Sequence, residues 1–141
     1  MSRTYANLDG TVPNPGFGAF VRWQLERKKD TTGFRTPVRP NDGRELHSDS
    51  PSLTWIGHAT FALRLGGKMI VTDPVWSERV GTQKRRAPPG VALEKMARID
   101  VVTISHTHYD HLDLATLRRI GPEPLYVVPS DVGDILRAAG L

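Results

Sequence analysis

Ser105-His106-Thr107-His108-Tyr109-Asp110-His111-Leu112-Asp113 is the stretch on which the reading of this chain turns. Three of the five histidines fall within six positions here, with a carboxylate between the second and third. Immediately upstream, Asp100-Val101-Val102-Thr103-Ile104 is short, β-branched and apolar, the pattern of a buried strand. Downstream, Leu114, Leu117 and Ile120 recur at helical spacing, with Asp113 placed to be an N-cap and Gly121-Pro122 a stop. The cluster is therefore predicted to occupy the turn from a strand end to a helix start, where open α/β sheets place their ligands. In extended backbone His106 and His108 point to the same side and can reach one cation, while Asp110 and His111 follow where the chain turns and can aim at a second point nearby. Neutral imidazole and carboxylate are ligands for zinc, and also serve iron or manganese. The competing reading is a polar helix-capping loop with solvated histidines; it has to treat H-x-H-x-D-H after an apolar strand as coincidence.

Working outward, Ser52 to Ile56, Thr60 to Leu65 and Lys68 to Thr72 are β-prone, and Gly66-Gly67 between the last two predicts a two-residue hairpin turn. His58 lies at the first strand turn, between Gly57 and Ala59, where a lone histidine is commonly a structural hydrogen bonder. Asp73 follows the apolar Met69-Ile70-Val71 and precedes Pro74, so it sits at a strand end, where a carboxylate can cap a turn. Residues 74–98 form a long irregular passage with Lys84-Arg85-Arg86 and Pro88-Pro89-Gly90, and a helical turn is expected over Leu93 to Arg98. The basic triplet suits an acidic substrate, although short charge runs are commonly only solvated. Leu125-Tyr126-Val127-Val128 reads as a further buried strand, and Ser130 as the cap of a last helix ending near Gly140.

His106-Thr107-His108-Tyr109-Asp110-His111 resembles the signature of the metallo-β-lactamase-fold hydrolases. Trp55-Ile56-Gly57-His58-Ala59-Thr60, Thr72-Asp73-Pro74 and the Ile104-Ser105 and Leu112-Asp113 flanks resemble one branch of that family, the one containing N-acylphosphatidylethanolamine phospholipase D. The likeness covers about Ser52 to Leu141. It implies an α/β chain (α+β in some schemes), the N-terminal half of an αββα sandwich. Carried over by resemblance, His106 and His108 bind a first zinc, Asp110 and His111 a second, and iron or manganese could replace zinc. Asp110 also orients the attacking water, Asp73 steadies the ligands from beneath, and His58 lies near the site as a support or substrate contact. The substrate implied is a phosphodiester, such as an N-acyl phospholipid cleaved at its head group. A nuclease of the same fold is the second reading, ranked lower because no stripe of aromatic and basic residues accompanies the triplet.

The family pattern next calls for a histidine on a later strand, a bridging aspartate and a final histidine. No histidine follows His111, and Asp131 and Asp134 come too soon. Each metal then has two of its protein ligands, whereas catalytic zinc usually keeps three. The expectation is a chain holding half the fold, with uncovered apolar sheet inviting self-association, and a third reading, a non-catalytic remnant, for the 141 residues in isolation.

Residues 1–51 read as an extension before the domain at 52–141. Phe17, Phe20, Val21 and Leu25 recur at helical spacing, and Arg27-Lys28-Lys29 suits a helix C-terminus. Such a helix could touch a membrane surface or an acyl chain; its short apolar face favours packing on the protein body instead. Thr31 to Pro51 reads as linker, with His47 solvated. A net charge of +4, from 19 basic and 15 acidic residues, says little about partners. The absence of cysteine excludes disulfides and thiolate metal sites, and with no signal-like or spanning run the expected location is cytoplasmic.

Overall fold

The computed structural model describes residues 8–9, 16–27, 39, 41–81 and 83–141. The chain divides into two units, Met1–Arg35 and Thr36–Leu141. In the first, α1 (Gly16–Glu26) forms where the apolar spacing predicts it, but none of its residues is buried. Lys28 and Lys29 lie outside the described residues.

The second unit is built on five strands: β1 (Ser52–Gly57), β2 (Thr60–Leu65), β3 (Lys68–Thr72), β6 (Val101–Thr103) and β7 (Leu125–Val127), in that spatial order. β1, β2 and β3 pair antiparallel, and β6 and β7 add in parallel. Gly66 and Gly67 take φ of 56° and 73°, the left-handed pair that a two-residue hairpin needs. A small ribbon, β4 (Arg79–Val80) with β5 (Gln83–Lys84), and a 3-10 turn at Leu93–Lys95 fill the passage between β3 and β6. α2 (Leu114–Ile120) connects β6 to β7, and α3 (Val132–Ala138) follows.

The period-two pattern decides which sheet face is covered. Ala62, Val71 and Val102 stand side by side across three strands and are fully buried. Ile56, Ala62, Met69 and Val71 pack with Leu46, Trp76 and Val91; Val102 and Ile104 pack with Leu117, Val132 and Leu136. Leu46 belongs to this core, which is why the unit begins well before the boundary at residue 51 read from sequence. On the opposite face Leu53, Trp55, Leu65, Leu125 and Val127 are exposed.

Two sequence expectations need correcting. Leu125-Val128 is not a buried strand: β7 is the end strand of the sheet, and Leu125 and Val127 lie on its open face. Ser130 does not cap the last helix. The Val132 N–H closes a turn on the Pro129 carbonyl (3.2 Å), and Asp131, left-handed at φ 72°, takes the cap position without a side-chain bond. Among the described residues no helix is long and apolar enough to cross a membrane.

The topology places the C-terminal ends of β1, β3 and β6 and the start of β2 on one sheet edge. His58, Asp73 and Ser105 sit there.

Candidate metal centre

His58 and Asp73 are both left-handed, with φ of 49° and 37°. For non-glycine residues such backbone costs about 1–3 kcal/mol each and persists only where neighbours enforce it. Here the neighbours are two threonines. Thr60 Oγ1 donates to the Asp73 carbonyl (2.6 Å) and accepts from the Val75 N–H (3.2 Å). Thr72 Oγ1 donates to the Ala59 carbonyl (2.8 Å) and accepts from the Phe61 N–H (3.1 Å). Trp55 Nε1 donates to the His58 carbonyl at 2.9 Å. The Gly-His-Ala-Thr and Thr-Asp-Pro segments thus hold each other in shape.

Asp73, 6% exposed, lies under the histidine turn. Its Oδ1 accepts from the Ser105 N–H (2.6 Å); its Oδ2 accepts from Ser105 Oγ (2.7 Å) and His111 Nδ1 (2.8 Å). Burial works against ionisation, but the hydrogen bonds from His111 and Ser105 outweigh it and hold the carboxyl below its ordinary value. A carboxylate only accepts, so the His111 proton sits on Nδ1 and Nε2 keeps its lone pair. Ser105 Oγ is also 2.9 Å from His106 Nδ1. Its own proton goes to Asp73, so it accepts from His106 Nδ1–H and leaves His106 Nε2 free as well.

His106 Nε2 lies 3.0 Å from His108 Nδ1. Two nitrogens bound to one tetrahedral zinc at 2.0–2.1 Å would stand roughly 3.3 Å apart, so this spacing fits a shared ion. Burial, then the neighbouring His111 and His108, pull His106 below its ordinary value against the opposing pull of Asp73 and Asp110, which favours the neutral, metal-binding imidazole. Asp110 Oδ2 stands 3.1 Å from His58 Nε2 and 3.9 Å from His111 Nε2. His58, Asp110 and His111 offer ligand atoms within 4.8 Å of one another, a second place where the donor set fits a divalent cation. The sequence reading left His58 as a support or substrate contact; the structure brings it alongside Asp110 and His111.

Asp113 fixes where the turn ends. It accepts from the Ala115 and Thr116 N–H groups (3.1 and 3.2 Å) as the α2 N-cap, and its other oxygen accepts from Thr116 Oγ1 (2.6 Å) and the Ser77 N–H (3.2 Å). Sequence reasoning missed Ser105 as the hub of the cluster and the two threonines as its supports. The available signal was a hydroxyl flanking each motif. It also treated Lys84-Arg85-Arg86 as one patch; Lys84 and Arg86 are exposed, but Arg85 turns inward, with Nη2 donating to the Val75 carbonyl.

The family model of the beta-lactamase superfamily domain matches residues 68–141. The chain is 36% identical over 126 residues to N-acyl-phosphatidylethanolamine-hydrolyzing phospholipase D 1 of Caenorhabditis elegans, covering 83% of this chain and 35% of that protein. It is 35% identical over 131 residues to an uncharacterized protein of Mycobacterium tuberculosis, covering 86% of this chain and 35% of the relative. The chain therefore spans about a third of the length of these curated relatives. The crystal structure of an isothiocyanate hydrolase from Delia radicum gut bacteria matches with a TM-score of 0.53 and 27% identity, over 63% of this chain and 38% of that one. Motif, sheet and likenesses agree, and the chain belongs to the beta-lactamase superfamily, with the metallo-β-lactamase fold.

Proposed function

We propose that this chain carries the ligand cluster of a zinc-dependent hydrolase acting on phosphodiesters, N-acyl phospholipids among them. The observation that supports it most is the convergence of His106 Nε2 and His108 Nδ1 at 3.0 Å beside Asp110 and His111. His106 and His108 would hold one ion, and Asp110 and His111, with His58 next to them, a second. When bound, such ions supply Lewis acidity toward a phosphoryl oxygen and lower the pKa of water. Asp73 and Ser105 keep protons on Nδ1 of His111 and His106, so both Nε2 atoms face the site as acceptors. Asp110 Oδ2, between two imidazoles, is placed to orient a water and take its proton. The substrate class rests on the relative named for hydrolysing N-acyl-phosphatidylethanolamine.

A second reading is a segment that binds metal without turnover. It is favoured by the first ion's having only His106 and His108 among the described residues, where catalytic zinc usually has three protein ligands. Zinc titration against a chromophoric chelator, with bis-p-nitrophenyl phosphate turnover followed on the same samples, separates the two. The hydrolase reading expects bound zinc and turnover, with zinc content lowered and turnover lost in His108→Ala. Zinc binding without turnover supports the second reading, and a chain that retains no zinc contradicts both.

A further inference from the structure

Arg85 has the environment of a residue awaiting an anion. Arg44, Arg64, Arg119 and Arg137 each face a carboxylate: Asp42, Asp49, Glu94 and Asp134 in turn. Arg85 has no carboxylate at ion-pair distance among the described residues, although it is half-buried and its Nε, like that of Arg64, is a buried donor without a hydrogen-bond acceptor. Burial pulls the guanidinium below its ordinary value, and the more distant charge of Asp113 offsets that only in part, so a closer anion would be favoured. The position of Arg85 is nevertheless fixed. The backbone N–H donates to the Glu78 carbonyl (2.8 Å), Nη2 donates to the Val75 carbonyl, and Nη1 lies where a Cβ on Gly57 would come within 2.7 Å. The glycine before His58 therefore leaves room for the guanidinium.

Arg85 lines a hollow together with two residues of the candidate metal centre. This hollow, of about 330 Å³, is lined by His58, Tyr109 and Asp110 together with Lys84 and Arg85. A second hollow of about 520 Å³, walled by Trp55, Ile56 and Pro88, shares only His58 and Arg85 with the first. A diester phosphate held at that junction would have its charge on Arg85 and a hollow on either side for its two arms.

We infer that Arg85 is the residue that binds a non-bridging oxygen of a phosphodiester substrate, holding the phosphorus against the His58–Asp110 edge of the metal centre. This rests on the phosphodiester reading above and names the side chain that recognises the anion. Guanidinium suits the role because it stays charged and offers a directional donor to a phosphate oxygen.

The test uses dimethyl phosphate as probe, titrated into the metal-free and the zinc-loaded chain, with the Arg85 Nε–H signal followed by 15N NMR and identified by its loss in Arg85→Lys. The inference expects that signal to move on saturation. It also expects Arg85→Gln to weaken dimethyl phosphate binding roughly ten- to hundredfold, with Arg85→Lys between the two and zinc content unchanged in both. A stationary Nε–H signal, or Arg85→Gln binding as tightly as wild type, overturns it. If Arg85→Gln does not fold, the wild-type signal and Arg85→Lys decide. Loss of zinc binding in wild type would contradict the metal reading alone, because the metal-free titration reports on Arg85 independently.

Discussion

Asp73→Asn tests the support of the site while leaving its backbone in place. Asparagine is among the few side chains that tolerate a left-handed φ such as the 37° here, so little strain is added. Its single acceptor oxygen can still take the Ser105 N–H, but its NH₂ then points where Oδ2 accepts from Ser105 Oγ and His111 Nδ1 at 2.7 and 2.8 Å. Two donors cannot face each other, so His111 has to move its proton to Nε2, the atom that should bind metal. Losing one or two charge-assisted hydrogen bonds at about 1.5–3 kcal/mol each, less what tautomer exchange recovers, gives a stability loss of about 2–3 kcal/mol. Removing the partner that orients a metal-binding histidine costs about 10- to 100-fold in affinity, or about 1.4–2.7 kcal/mol. Chelator competition measures the affinity, urea denaturation the stability, and long-range 15N–1H correlation the tautomer. Zinc affinity within about twofold of wild type, with the His111 proton still on Nδ1, would refute the role assigned to Asp73.

Acidification should unfold the domain in a defined window. Asp73 and Asp113 both lie below their ordinary value of 3.8: burial opposes ionisation of each, but hydrogen bonds from His111 and Ser105 to Asp73, and from Ser77 and Thr116 to Asp113, prevail. Their stabilisation is therefore complete above the unfolded value and is lost as pH falls through the folded ones, so urea midpoints should hold steady down to about pH 4 and then drop; a midpoint indifferent to pH 2 would contradict this. Leu117→Ala removes a fully buried side chain between α2 and the sheet, and should cost about 2–5 kcal/mol in urea denaturation. Gly57→Ala adds a Cβ at φ 145° and within 2.7 Å of Arg85 Nη1, so it should destabilise by about 1–3 kcal/mol and shift the Arg85 Nε–H signal. An unmoved signal would show that Arg85 does not lie over that glycine.

The parts of this fold that were legible beforehand are those that local chemistry dictates. Gly66-Gly67 forced a hairpin, Asp113 followed by Leu114 and Leu117 marked a helix start, and Val101-Val102-Thr103 before a polar histidine run marked a strand ending at a site. Where tertiary placement decides, residue type was silent. Leu125 and Val127 are as β-prone as Val102, yet they face outward because β7 is last in the sheet, a fact of strand order. Leu46 looked like linker because its partners, Ile56, Ala62 and Met69, are contributed by later strands. The histidine cluster was readable because its spacing is local. The approach of His58 to Asp110 and of Asp73 to His111 spans separate strand pairings, so it was implied by the family resemblance and not by local spacing.

His106 and His108 should meet on one cation while Asp110 and His111 serve a second. Zinc K-edge X-ray absorption on the zinc-loaded chain and on the His106→Ala/His108→Ala double variant tests this most directly. The prediction is a shell of nitrogen and oxygen only, at about 2.0–2.1 Å, with imidazole scattering that falls together with zinc content in the double variant. Equal zinc content and an identical shell in both proteins would contradict it.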